Sequence, residues 1–198
     1  MYQELYDRIC EVLHKPCKKA DLEAVLREVQ KEESKIYEDT VGECRMLSFD
    51  TATKRTGWAY YLNGELEASG VIDLSKNKDS RLRVEEMEMR IFQLLSDYNP
   101  DMVVIEENSV GRNAKIERML GHIVGAVSGW ARDHYKCVLQ LTPSEWRKRV
   151  RLKTGIACPV PRNEAKAWSV KMVSNLFHKT VTDDESDAIL LGYAIIDL

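Results

Sequence analysis

The chain has 198 residues, 44% hydrophobic and 31% charged, with a formal net charge of −3. That composition supplies a core for one domain of ordinary size plus an appendage, and it excludes wholesale disorder. No apolar run approaches the roughly 20 residues needed to span a bilayer. The opening MYQELYDRIC, with Glu4 and Asp7, lacks the make-up of a signal or transit peptide, so a cytoplasmic protein with no membrane partner is expected.

Five cysteines, an odd count with no CxxC pair, support neither a disulfide framework nor a zinc ribbon. Charge is unevenly spread: residues 1–44 carry a net −4 and the remainder a net +1. The boundary expected from this is an N-terminal extension over 1–44 and a main domain over 45–198.

Residues 1–40 are expected to form a helical hairpin. Tyr2, Leu5, Tyr6, Ile9, Val12 and Leu13 make one apolar stripe, Pro16 ends it, and Leu22, Val25, Leu26, Val29 and Ile36 make a second. The pattern changes at Arg45. Strands are expected over 45–50, Thr56–Leu62 and Leu66–Leu74, with Asn63-Gly64 as a hairpin turn. A helix follows over 79–98, stopped by Asn99-Pro100, then a buried strand over 102–106. Lys115 to His134 reads as a helix with Gly121, Gly125 and Gly129 on one face, which allows close packing against another helix or a sheet. Cys137–Leu141 is a strand, Thr142 caps a helix opening with Pro143, and helices are expected over 163–177 and 185–197. Strands joined by helices run parallel through right-handed crossovers, so the order gives an α/β domain. Its sheet is mixed and five-stranded, with 45–50 central and 102–106 beside it.

The carboxylates then stand out. Asp50 closes the run Met46–Phe49, Glu106 closes Met102–Ile105, and Asp184 and Asp187 precede the apolar run from Ala188. Such groups at core elements are unfavourable unless paired or bound to a metal. Adjacent parallel strands lie about 4.8 Å apart, which sets Asp50 and Glu106 side by side. Asp184 and Asp187 share one helix face. Acids from distant parts of the chain, without a His or Cys cluster, suit a hard cation bound through oxygen. Taken singly each acid has a plain alternative: Asp50 capping a turn, Glu106 paired with Lys115 or Arg112, Asp183 and Asp184 as ordinary helix N-terminal acids.

Several segments together resemble the RuvC family of Holliday-junction resolvases, within the ribonuclease H-like superfamily. They are Leu47 to Ala59 with Asp50 and Gly57, Val103-Val104-Ile105-Glu106-Glu107, Leu120 to Gly125, Asn163 to Val170, and Asp184-Glu185-Ser186-Asp187-Ala188. The resemblance covers about residues 45–198. It implies a ribonuclease H-like fold and a homodimeric endonuclease that nicks four-way DNA junctions in recombination and repair. It also implies two Mg²⁺ ions per site, with Mn²⁺ as a substitute. Asp50 would bridge both ions, with Glu106, Asp184 and Asp187 as further ligands, and Asp184 is preferred to Asp183. Lys166 would approach the scissile phosphate. Arg112 and Asn113, in the loop after Glu106, and the basic run Arg147, Lys148, Arg149, Arg151 and Lys153 are expected to contact DNA, the alternative for that run being a solvated helix face. Bacterial members carry a base-contacting Phe three residues after the catalytic Glu, and here that position is Ser109. Activity on other branched DNA therefore stands as an alternative; action on hybrids and junction binding without cleavage are separate ones.

Overall fold

The computed structural model describes residues 43–107, 114–159 and 161–196. The chain divides after Gly42 into two units, and every described residue belongs to the second. The hairpin expected over 1–40 and the loop holding Ser109, Arg112 and Asn113 lie outside the described residues.

The strands are β1 (Arg45–Asp50), β2 (Arg55–Leu62), β3 (Glu65–Asp73), β4 (Met102–Glu106) and β5 (Cys137–Leu141). They form one sheet in the order β3-β2-β1-β4-β5, with β1 antiparallel to β2 and parallel to β4, and β4 parallel to β5. The mixed five-stranded sheet read from the sequence is the one observed. Asn63 and Gly64 both adopt positive φ at the β2–β3 turn, the backbone that an Asn-Gly hairpin requires.

Five helices follow in chain order: α1 (Ser80–Tyr98), α2 (Ala114–Asp133), α3 (Pro143–Thr154), α4 (Arg162–Phe177) and α5 (Asp183–Tyr193). Asp79 caps α1 by accepting from the amides of Arg81 and Leu82. Asn99, in the left-handed region, closes it by donating its amide to Leu95. Thr142 and Glu145 form a reciprocal capping box on α3 with Pro143 in the first turn. Thr182 caps α5 by accepting from the amide of Glu185, so α5 begins two residues before the sequence-based boundary and ends at Tyr193.

The strand period of two sorts the core into two layers. Leu47, Phe49, Val103 and Ile105 face α1 and α2, packing on Met87, Ile91, Leu95, Ile123 and Val127. Met46, Ala59, Tyr61 and Val104 face α3, α4 and α5, packing on Trp146, Val173, Ile189, Leu190 and Leu191. Ser48 sits in the second layer and is fully buried, its hydroxyl donating 2.8 Å to the carbonyl of Ala188. A side chain at Gly192 would strike the Tyr61 ring and the Ser48 hydroxyl, so glycine lets α5 lie close on the sheet.

The close packing that Gly121, Gly125 and Gly129 allow is not found among the described residues. A Cβ at any of the three would meet nothing within 4 Å. The buried stripe of α2 is Ile123, Val127 and Ala131, and the glycines fall on a different face.

Candidate functional site

Alternation along β1 and β4 fixes where the two strand-end acids point. Asp50 continues the Met46 and Ser48 face, and Glu106 continues the Val104 face, both toward α5. The register pairing Phe49 with Ile105 puts the two acids at the ends of neighbouring parallel strands. The first two turns of α5 bring Asp184 and Asp187 to the same place. Gly57, in β2 opposite Asp50, is what allows the approach. A Cβ there would lie 1.9 Å from the Asp184 carbonyl oxygen, so α5 rests directly on strand backbone.

The electrostatics report the convergence. Burial, then the charges of Glu106, Asp187 and Asp184, push the Asp50 carboxyl well above the usual carboxylate range, and Lys166 opposes them. Burial also raises Asp187, against the pull of Ser169, Arg147 and Lys166. Burial and neighbouring Asp183 raise Asp184, against Arg55 and Lys166. Glu106, Asp184, Asp187 and Lys166 thus all lie near enough to act on the Asp50 carboxyl.

Glu106, Asp184 and Asp183 each meet a donor or cation from another element. Trp146 donates its indole N–H to Oε2 of Glu106 at 2.6 Å. Arg55 pairs with Asp184 at 3.1 Å. Lys166 forms an ion pair with Asp183, which raises the lysine and lowers the acid. Both N-terminal acids of α5 are therefore ion-paired, Asp183 with Lys166 and Asp184 with Arg55, and Asp184 also acts on Asp50. Oδ1 of Asp187 is buried without a hydrogen-bond partner.

The donor set fits a hard divalent cation: carboxylate oxygens only, with one buried oxygen left unpartnered. Among the described residues no three His, Cys, Asp or Glu side chains are already gathered around one point.

The basic run divides. Arg147 is half-buried, lies 4.7 Å over the Trp146 ring and acts on Asp187. Arg149 is half-buried, while Lys148 and Arg151 are exposed. Lys153 donates to the carbonyls of Tyr193 and Ile196 at the end of α5. These residues do not make one continuous solvent face.

Relatives bear on this geometry. Crossover junction endodeoxyribonuclease RuvC of Chlorobium phaeovibrioides is 27% identical over 158 residues, covering 77% of this chain and 80% of the relative. RuvC of Dictyoglomus thermophilum is 28% identical over 156 residues, covering 76% and 95%. The chain resembles the RuvC resolvases along most of its length. In fold, Thermus thermophilus RuvC bound to a Holliday junction substrate superposes with a TM-score of 0.59 at 17% identity, covering 76% of this chain and 91% of that one. Fowlpox virus resolvase with Holliday junction DNA gives 0.50 at 18% identity, covering 77% and 97%. No protein-family model matches the chain. The RuvC-like fold agrees with the sheet order and flanking helices read from the sequence.

Trp146, Arg55 and Ser169 were not singled out as site residues from the sequence. For Trp146 a signal was present. Thr142 caps the helix directly after β5, and helical side chains lean toward the N-terminus, so the fourth helical residue points back at the strand end.

Among the described residues no helix is long and apolar enough to cross a membrane.

Proposed function

We propose that this chain is a Holliday-junction-resolving endonuclease that hydrolyses phosphodiester bonds with divalent cations held by Asp50, Glu106, Asp184 and Asp187. The observation that carries the reading is the placement of these acids, with Asp50 and Glu106 at the ends of neighbouring parallel strands and the start of α5, which bears Asp184 and Asp187, resting on Gly57 opposite Asp50. Similarity to RuvC along three quarters of the chain supports it.

Mg²⁺, or Mn²⁺ in its place, would supply Lewis acidity to water and to the scissile phosphate. The chain's own part is to hold and orient. Asp50, Glu106 and Asp184 would hold the cations, and Asp187 would offer its unpartnered Oδ1. Lys166 sits beside these acids, where its ammonium can transfer from Asp183 to a phosphate oxygen and offset transition-state charge. Exposed Lys148 and Arg151 suit the phosphate backbone of the arms, as Arg112 and Asn113 would from their loop. Paired opposed cuts favour a two-fold homodimer, and the open glycine face of α2 leaves room for a close seam.

The test is nicking of a labelled four-way junction against linear duplex of the same sequence, with Mg²⁺ and with chelator. Symmetric, metal-dependent cuts on the junction alone, abolished by Asp50→Asn, are expected. Binding without cutting under any divalent cation would overturn the enzyme reading. Equal cutting of flaps or hybrids would remove the junction specificity.

A further inference from the structure

We infer that Trp146 is a positioning residue whose indole N–H fixes the Glu106 carboxylate in the orientation needed to hold a divalent cation. This rests on the reading of Glu106 as a metal ligand.

The two residues are brought together by fixed elements. Glu106 ends β4 opposite Leu141 of β5, and the chain turns at Thr142 straight into α3. The capping box sets the first turn: Glu145 donates its amide to the Thr142 hydroxyl and accepts the Thr142 amide on its carboxylate. Trp146 donates its own backbone amide to the Thr142 carbonyl at 3.2 Å. Its ring is fully buried among the α5-side core, so its rotamer is locked by packing. Arg147 lies over the ring.

The contact is specific. Trp168 is also buried, yet its indole nitrogen has no hydrogen-bond partner. Burying an indole therefore does not by itself recruit a carboxylate here. At 2.6 Å the Trp146–Glu106 contact is short for an N–H donor, the direction in which a carboxylate acceptor moves such a bond. An indole N–H only donates and does not titrate near neutrality. It thus favours the charged carboxylate without competing for a cation, as a lysine or arginine would. Partners that orient metal ligands in this way typically change metal affinity about 10–100-fold when removed.

Trp146→Phe keeps a large ring and deletes the donor. Calorimetric titration of the full-length protein with Mn²⁺ should show roughly 10–100-fold weaker binding than wild type, and in a Glu106→Ala background the same substitution should weaken binding no further. Wild-type affinity in Trp146→Phe, or an equal loss in the Glu106→Ala background, would overturn the inference. A second readout needs no variant of Trp146: its indole proton resonance should move on Mg²⁺ addition and on Glu106→Ala, and a signal indifferent to both would also overturn it. Should the wild type bind Mn²⁺ yet cut no junction, the nuclease reading falls while these comparisons still decide the role of Trp146.

Discussion

Gly57→Ala is the sharpest test of how the site is assembled. The added Cβ would lie 1.9 Å from the Asp184 carbonyl oxygen and 2.6 Å from its carbonyl carbon, against a floor of 3.0 Å for real Cβ contacts. Both atoms are backbone, so no rotamer change relieves the clash. The start of α5 must move by about 1 Å, carrying Asp184 and Asp187 away from Asp50 and Glu106. Overpacking of this kind destabilises by about 1–3 kcal/mol. For a protein of this size each kcal/mol lowers Tm by roughly 2–4 °C. A displacement near 1 Å at reacting groups costs on the order of 100-fold in rate. Single-turnover nicking of a four-way junction in Mg²⁺, with a thermal melt alongside, reads both effects. A variant that nicks within about three-fold of wild type with an unchanged Tm would show that α5 does not rest on Gly57.

Gly125→Ala in α2 reads the proposed homodimer. In the isolated domain its Cβ meets nothing among the described residues, and the helix should gain about 0.8–1.0 kcal/mol. In a close two-fold seam the same methyl should instead weaken self-association in sedimentation, the expected result; a more stable variant with unchanged association would place the seam elsewhere. His122 donates through Nδ1 to the Glu88 carboxylate at 2.5 Å, which raises it above its ordinary 6.5. The stabilisation this pair gives is present below pH 6.5 and lost as pH rises through the raised folded value. An NMR titration should place the His122 midpoint above 6.5 in wild type and near 6.5 in Glu88→Gln; a wild-type midpoint at or below 6.5 would refute the pairing.

The strands were legible because their signals are local. Met46–Phe49 and Val103–Ile105 are buried on both faces, so they read as continuous apolar runs. Asn63-Gly64 and Asn99 mark turns by residues that accept positive φ. The strand-end acids were legible because a carboxylate is out of place there. The start of α5 was also written, in the Thr182 to Glu185 capping spacing, but the acids at 183 and 184 read equally well as preceding the helix. The glycine repeat of α2 names a face that allows close packing without naming what covers it, and nothing among the described residues does. Arg55–Asp184, Ser169 against Asp187 and Trp146–Glu106 depend on tertiary approach across 129, 18 and 40 residues of chain, and no local pattern encodes them.

Those long-range contacts share a physical cause. Four carboxylates at one site repel one another, and burial worsens the repulsion by weakening solvent screening. The fold answers with a donor or cation near each acid, drawn from three elements: Arg55 from β2 for Asp184, Trp146 and Arg147 from α3 for Glu106 and Asp187, and Lys166 from α4 near Asp50. A full set of direct bonds would stabilise the resting site and block a cation. The compromise is visible in Asp187, whose Oδ1 stays buried and unpartnered although Arg147 and Ser169 lie close by. It is visible again in Lys166, held by Asp183, an acid outside the proposed ligand set. Under the proposed function, an ammonium held on Asp183 would stay beside the acids without occupying a ligand oxygen, and an arriving phosphate would meet a lysine already close by.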